Sequence, residues 1–266
     1  MRRPPNRPPW PVIAAVFAST LLIAVGALLI SRPDHTGDTR ADRVSGAVRP
    51  EDRASGAQPP ANGAGAVEAD PAAYQLERLR ALEPVVAGPA TVVIVGEAAQ
   101  QPDLYAAEFT RRLLTQDYRQ PRDAHIQWVQ AESATTTEPL VVGKVPPELR
   151  DRLAVYTVTD TADGPAPIPS PAEWAGLAAQ QAYTTVSIDR VEEPFAWTNA
   201  VASGRITDPG ITGRDVAATV TVHSAADGRP HIATYSVGLS LNLEGPPTRR
   251  TWGFVAAVSY TAIQVK

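Results

Sequence analysis

From Tyr183 to the carboxyl end, apolar and polar residues alternate with a period of two in four separate segments. That period puts every second side chain on one face of an extended strand, so the segments can fold only as half-buried sheet. TTVSIDRV places Val186 and Ile188 together. DVAATVTVH does the same for Val216, Ala218, Val220 and Val222, and ATYSVGLSLNL for Ala233, Tyr235, Val237, Leu239, Leu241 and Leu243. TWGFVAAVSYTA places Trp252, Phe254, Ala256, Val258 and Tyr260 together. Short connections make the last three antiparallel neighbours. Asp227-Gly228 suits a two-residue hairpin turn, which pairs Val222 with Ala233, Val220 with Tyr235 and Ala218 with Val237. A slip of one residue would spoil that apolar face, so turn chemistry and pattern agree.

The region before the sheet reads as helical. PAAYQLERLRALEP predicts a short amphipathic helix with Tyr74, Leu79 and Leu82 on one face, ended by Pro84. ATVVIVG follows as a strand or extended arm, and both pack on the main domain or meet a partner. Pro102 and Asp103 open a longer helix in which Tyr105, Phe109 and Leu113 recur every four residues. Ala107, Leu114 and Tyr118 continue an adjoining stripe, and Pro121 breaks the helix. RDAHIQWVQ predicts a helix with His125, Trp128 and Val129 on one face, and PPELRDRLAVY a further one. SPAEWAGLAAQ starts with a capping box, Ser170 with Glu173, and turns Trp174 inward.

The amino end is of another kind. No charge falls between Arg7 and Arg32, and the nineteen residues from Val12 to Ile30 nearly span a ~30 Å hydrocarbon core. A cleaved signal peptide has a shorter apolar run ending at a small-x-small site; here Leu28, Leu29 and Ile30 continue past Ala24 and Gly26. The expectation is one uncleaved transmembrane helix over 11–31, with residues 1–10 cytoplasmic because Arg2, Arg3 and Arg7 precede the span. Residues 32–70 are mostly Ala, Gly, Pro, Arg and Asp, with Val44, Val48 and Val67 the only large aliphatics and no Phe, Trp or Tyr, which predicts a disordered linker reaching roughly 35 Å. Residues 71–100 form the helix and arm, and 101–266 an extracytoplasmic domain.

Composition limits the chemistry. A net charge of -4 argues against direct nucleic-acid binding. With no cysteine there is no disulfide, thiolate nucleophile or zinc–thiolate centre. The predicted register turns His223 and His231 to opposite faces, so no metal site or other cofactor is expected. Asp123 and His125 could be a general acid–base pair, but two residues apart on a helix they do not face each other, and a histidine packed on Trp128 is the simpler reading. GxSxG and GxGxxG are missing, and Gly143-Lys144-Val145 lacks the rest of a phosphate loop. Glu192-Glu193 reads as solvated charge at a strand end. No catalytic set emerges and the chain is expected not to be an enzyme. Two other sets stand out. The last strand carries Val255, Ala257, Ile263 and Val265 on its second face, so it is either central and covered twice or a candidate interface. Tyr118, Trp128, Tyr235 and Trp252 are core or the lining of a pocket.

The expected class is α+β: helices packed on a curved, about four-stranded antiparallel sheet, preceded by one transmembrane helix. That order resembles the cystatin-like or nuclear-transport-factor-two-like cone. With the anchor and tether, the layout is similar to the bitopic assembly proteins of conjugative type IV secretion systems, the TcpC-type proteins above all. EFTRRLLTQDYR followed by RDAHIQWV resembles the opening of their domain. The resemblance implies a single-pass cell-membrane scaffold that binds itself, as a homo-oligomer, and other transfer-channel membrane proteins. Two alternatives stay open: an Mce-associated accessory protein of actinobacterial lipid uptake, which shares the layout and the LLTQDYR ending, and a small-ligand binder or isomerase of the cone fold.

Overall fold

In a computed structural model the described residues are 70–83, 85, 92–160, 165–226 and 228–265. The predicted anchor and nearly all of the linker lie outside them. Among the described residues no helix is long and apolar enough to cross a membrane. The helices are α1 (Pro71–Ala81), α2 (Pro102–Leu114), α3 (Arg122–Glu132), α4 (Pro139–Val142), α5 (Arg150–Thr159), α6 (Pro171–Ala179) and α7 (Phe195–Ala202). The strands are β1 (Tyr183–Glu192), β2 (Ile211–Ala226), β3 (Arg229–Glu244) and β4 (Gly253–Val265), in one antiparallel sheet of order β1-β2-β3-β4. The class is α+β, as the alternation predicts.

The β2–β3 register is the predicted one: Val222 meets Ala233, Val220 meets Tyr235 and Ala218 meets Val237. Ala226 pairs with Arg229 across the turn, where Gly228 takes φ +71°, a conformation that costs glycine little. The main core lies on one face of this sheet. Tyr105, Phe109 and Leu113 of α2 are fully buried there against Leu239, Leu241, Leu243 and Phe254, with Val129 of α3 and Val155 and Val158 of α5. Phe109 stacks on Phe254 with ring centroids 4.2 Å apart and on Trp128 at 5.3 Å. Removing any of the three α2 anchors would leave a cavity worth ~2–5 kcal/mol.

Several helices depart from the pattern. The helix α2 ends at Leu114, seven residues before Pro121, because Thr115 turns extended and Gln116 pairs with β1 instead: Thr184 N donates to Gln116 O at 2.8 Å. Tyr118 is therefore buried from a loop. The Ser170–Glu173 capping box forms in full and Trp174 is buried. Leu79 of α1 is buried against Leu149 and Tyr156, and Arg152 donates to the carbonyls of Arg80 (3.0 Å) and Leu82 (2.8 Å) at the helix's carboxyl end. So α1 packs on the main domain. Tyr74, expected on its inner face, is instead 56% exposed, with the Arg78 guanidinium over its ring. Val92–Val95 is an extended arm and not a strand; only Ile94 is buried. The helix α7 was not anticipated. Its Trp197 lies on the sheet's second face over Gly213, where any Cβ would come within 2.9 Å of the indole.

The fourth strand breaks its own period. Two bulges, at Val255 and at Val258, flip the alternation, so Phe254, Ala257 and Tyr260 point to the main core while Ala256 does not. Val255 and Ala256 join a second cluster with Ala134, Leu153 and Ile211, packed by Val141, Val145, Trp197 and Ile206. The sheet is therefore covered on both faces at this end. The candidate interface divides accordingly: Val255 and Ala257 are 1% and 4% exposed inside the chain's own packing, while Ile263 and Val265 are 70% and 52% exposed.

Candidate functional site

The four aromatics read as core or pocket lining sit in or against the apolar clusters. Tyr118 meets Trp174 edge-on at 4.8 Å. Burial pushes its hydroxyl well above the ordinary tyrosine range, and the hydroxyls of Tyr260 and Tyr235 add to that shift. Tyr235 is half-buried in a third apolar cluster with Leu114, Val220 and Val237. Burial raises Tyr260 to about 12, again with Tyr235 nearby. Trp252 sits at the other end of the sheet, its indole N–H donating to Gln100 O at 3.2 Å. Trp128 packs against the main core and lines two shallow grooves of about 250 and 260 Å³. One is bounded by Arg111, Arg112 and Thr115, the other by Asp117, Gln120 and Trp174, and His125 touches both.

His125 is held by packing. Its Nε2 lies 2.9 Å from Leu113 O, a contact that needs the proton on Nε2, and the ring lies 5.8 Å from that of Trp128. Burial lowers its pKa, with Arg122 adding to the effect. Asp123 is exposed, and the ring's hydrogen bond goes to Leu113 O instead. Arg111 and Arg112, at the groove's rim, are both bonded to Glu108, at 2.8 and 2.6 Å. His223 and His231 face oppositely, pairing with Ile232 and Ser224. His223 stacks on Tyr183 at 4.7 Å. Among the described residues no three His, Cys, Asp or Glu side chains are placed to hold a metal ion.

The sequence reading missed four buried charged residues. Arg214 points into the main core side from β2, opposite Leu241, and is only 9% exposed. It bonds Asp103 at 2.5 Å and Glu193 at 3.3 Å, tying the start of α2 and the end of β1 to the sheet. Glu193 is thus an ion-pair partner and not merely solvated charge. Glu132, at the end of α3, accepts from the Tyr105 hydroxyl at 2.8 Å and from Ile94 N–H. Burial raises its pKa against the pull of those two donors. Glu138 accepts from the N–H groups of Thr207 (2.9 Å), Asp208 (3.1 Å) and Leu140 (3.4 Å). Those bonds outweigh its burial, and its pKa falls. Glu244, at the end of β3, is fully buried and neither carboxylate oxygen has a hydrogen-bond partner. Burial raises its pKa, the neighbouring Thr136 and Thr248 side chains pull the other way, and the nearby Asp208 charge adds to the rise. These acids serve the fold: Glu132 joins the Val92–Val95 arm to α2, and Glu138 joins the start of α4 to the loop before β2.

The opposite end of the sheet is what remains accessible. There the second face carries Thr185, Ser187, Thr219, Thr221, Thr234 and Ser236, bordered by Ile232 (63% exposed), Ile263 and Val265. No family model, no curated protein and no solved structure matches the chain. What fold and surface define is an α+β domain on a β1-β2-β3-β4 antiparallel meander, with helices on its main face and, on its second face, a covering layer at one end and open sheet at the other.

Proposed function

We propose that the protein is a membrane-anchored, extracytoplasmic scaffold of a conjugative, type IV secretion-like transfer apparatus, working through protein–protein contact. The observation that carries this reading is the helix-then-meander order, α2 and α3 packed on one face of four sequential antiparallel strands, on a chain whose amino end holds a nineteen-residue uncharged apolar run. The cone-like domain of TcpC-type assembly proteins has this layout. The open end of the sheet supplies the kind of surface a scaffold needs: a row of Thr and Ser side chains bordered by exposed Ile232, Ile263 and Val265, away from the doubly covered end. The anchor and tether would hold it outside the membrane and within reach of other channel subunits.

The test is to cross-link tagged full-length protein in native membranes and identify what co-purifies. Recovery of conjugation ATPases and channel subunits is expected. Recovery of lipid-uptake components would replace this reading with the Mce-associated one. Recovery from the soluble fraction alone would remove the anchor and the scaffold reading with it.

A further inference from the structure

The sheet has two edges, β1 and β4, and they are treated differently. The β1 edge is blunted. It carries Asp189, Arg190 and Glu192, it bulges between Ile188 and Arg190, and its first residues are bonded to the loop after α2. Charges and bulges of this kind keep an edge from recruiting another strand. The near half of β4 is closed by the chain itself, since Ala134 N donates to Phe254 O at 2.7 Å and Ala257 N donates to Thr157 Oγ1 at 2.9 Å. Past Ala257 the edge has no such cover among the described residues. From Gly253 to Val265 it contains no charged residue and no proline.

The backbone groups that face out follow from the turn. Ala226 and Arg229 close a two-residue hairpin and form a hydrogen-bonded pair, and bonded and non-bonded pairs alternate from there. Even-numbered β3 residues therefore bond β4, through Ser259, Thr261, Ile263 and Val265. The N–H and C=O of Tyr260, Ala262 and Gln264 are left pointing off the sheet. The same alternation sends Thr184 N off the β1 edge, where it meets Gln116 O, so the phase is right.

We propose that this open edge pairs with a second copy of the chain, β4 to β4, antiparallel about a two-fold axis at Ala262. In that register Tyr260 of each copy meets Gln264 of the other and Ala262 meets itself, which uses every outward group of the three residues. On the second face Ile263 lies beside Thr261 of the other copy and Val265 beside Ser259, covering apolar side chains that are otherwise exposed. A strand without charge meets itself without repulsion, and an antiparallel self-pairing closes after two copies instead of propagating. The paired length, seven residues, is about 23 Å. That is small beside the ~1,600 Å² of a standard stable interface, so the dimer is reversible and concentration-dependent. The inference concerns the folded domain and stands whether or not the protein serves a transfer channel.

The chain has no native cysteine, which makes the test direct. Single Ala262→Cys, Ser259→Cys and Val265→Cys variants of the full-length protein are oxidised mildly in their own membranes. Ser187→Cys, exposed on the sheet's second face near the other edge, reports random collision. The expected result is disulfide dimer from A262C at roughly ten-fold the S187C level, as the Cα separation in a directly opposed pair suits a disulfide. S259C alone gives none, since its two copies lie about 20 Å apart, whereas co-expressed S259C and V265C link to each other. Dimer from A262C no greater than from S187C would overturn the proposal. So would linkage of S259C to itself above the S187C level, or A262C adducts to a different protein in place of a second copy.

Discussion

The two halves of β4 are built from the same kinds of residue and meet different fates. From Gly253 to Ala257 every residue is buried, two bulges distribute side chains between two apolar clusters, and α3 and α5 close the edge. From Ala262 to Val265 every residue is exposed and the edge is open. The difference does not come from hydrophobicity, since Ile263 and Val265 are as apolar as Val255. It comes from what the chain places alongside: α5, α7 and the α4 loop reach one end of the sheet and stop. An apolar residue is core only where another element arrives to cover it.

The comparison can be broken most severely at the covered half. Val255→Asp is expected to abolish cooperative unfolding, because it buries an unpaired charge against Leu153 and Ile211. A normal unfolding transition, followed by circular dichroism on the full chain, would mean that the second cluster is not packed. Phe109→Ala and Phe254→Ala should each cost ~3–5 kcal/mol in denaturant midpoint analysis, and coupling between them is expected because the rings stack. Glu138→Ala should cost ~1–3 kcal/mol at neutral pH, since it orphans the N–H groups of Thr207 and Asp208.

The buried acids sharpen the comparison through pH. The pKa of Glu138 is depressed in the fold, so its contribution is present above the ordinary carboxylate range and fades as pH falls through the folded value. Glu132 and Glu244 are raised, so their contribution is present in acid, below the unfolded value, and is lost as pH climbs through the folded one. Glu244→Gln removes one of the two opposing acids. It should raise Tm at pH 8 by about 2–4 °C, for ~1 kcal/mol, and change it little in acid. A Tm that falls at pH 8 would mean that the carboxylate is paired there. The smallest effect is expected at the open half: Ile263→Asp should move stability by no more than ~0.5 kcal/mol.

Much of the fold is legible in the chain. The β2–β3 register could be read because strict alternation and the Asp-Gly turn specify it independently, and the α2 anchors because Tyr105, Phe109 and Leu113 keep helical spacing. The bulges of β4 could not be read from Phe254-Val255-Ala256-Ala257-Val258, since a run that is apolar throughout gives no alternation to interrupt. Arg214 was missed because Ile211-Thr212-Gly213 looks like an approach to the strand and not part of it. Glu244 continues the polar series Ser236, Ser240, Asn242, which at the other end of the sheet does face solvent; only the arrival of a second layer buries it. Glu138 left one signal, its position just before Pro139, where a side-chain cap is favoured. Of the four aromatics read as core or pocket lining, Tyr118 lies in the main core, Trp128 and Trp252 pack against it, and Tyr235 packs on the adjoining cluster.

Amide hydrogen exchange of the full-length protein at two concentrations tests the division of β4 most directly. The account predicts strong protection at Ala257 in both, and exchange at Tyr260, Ala262 and Gln264 that is fast when dilute and slows as the protein is concentrated. Equal protection along the whole strand at the lower concentration, or no change at those three amides on concentration, would contradict it.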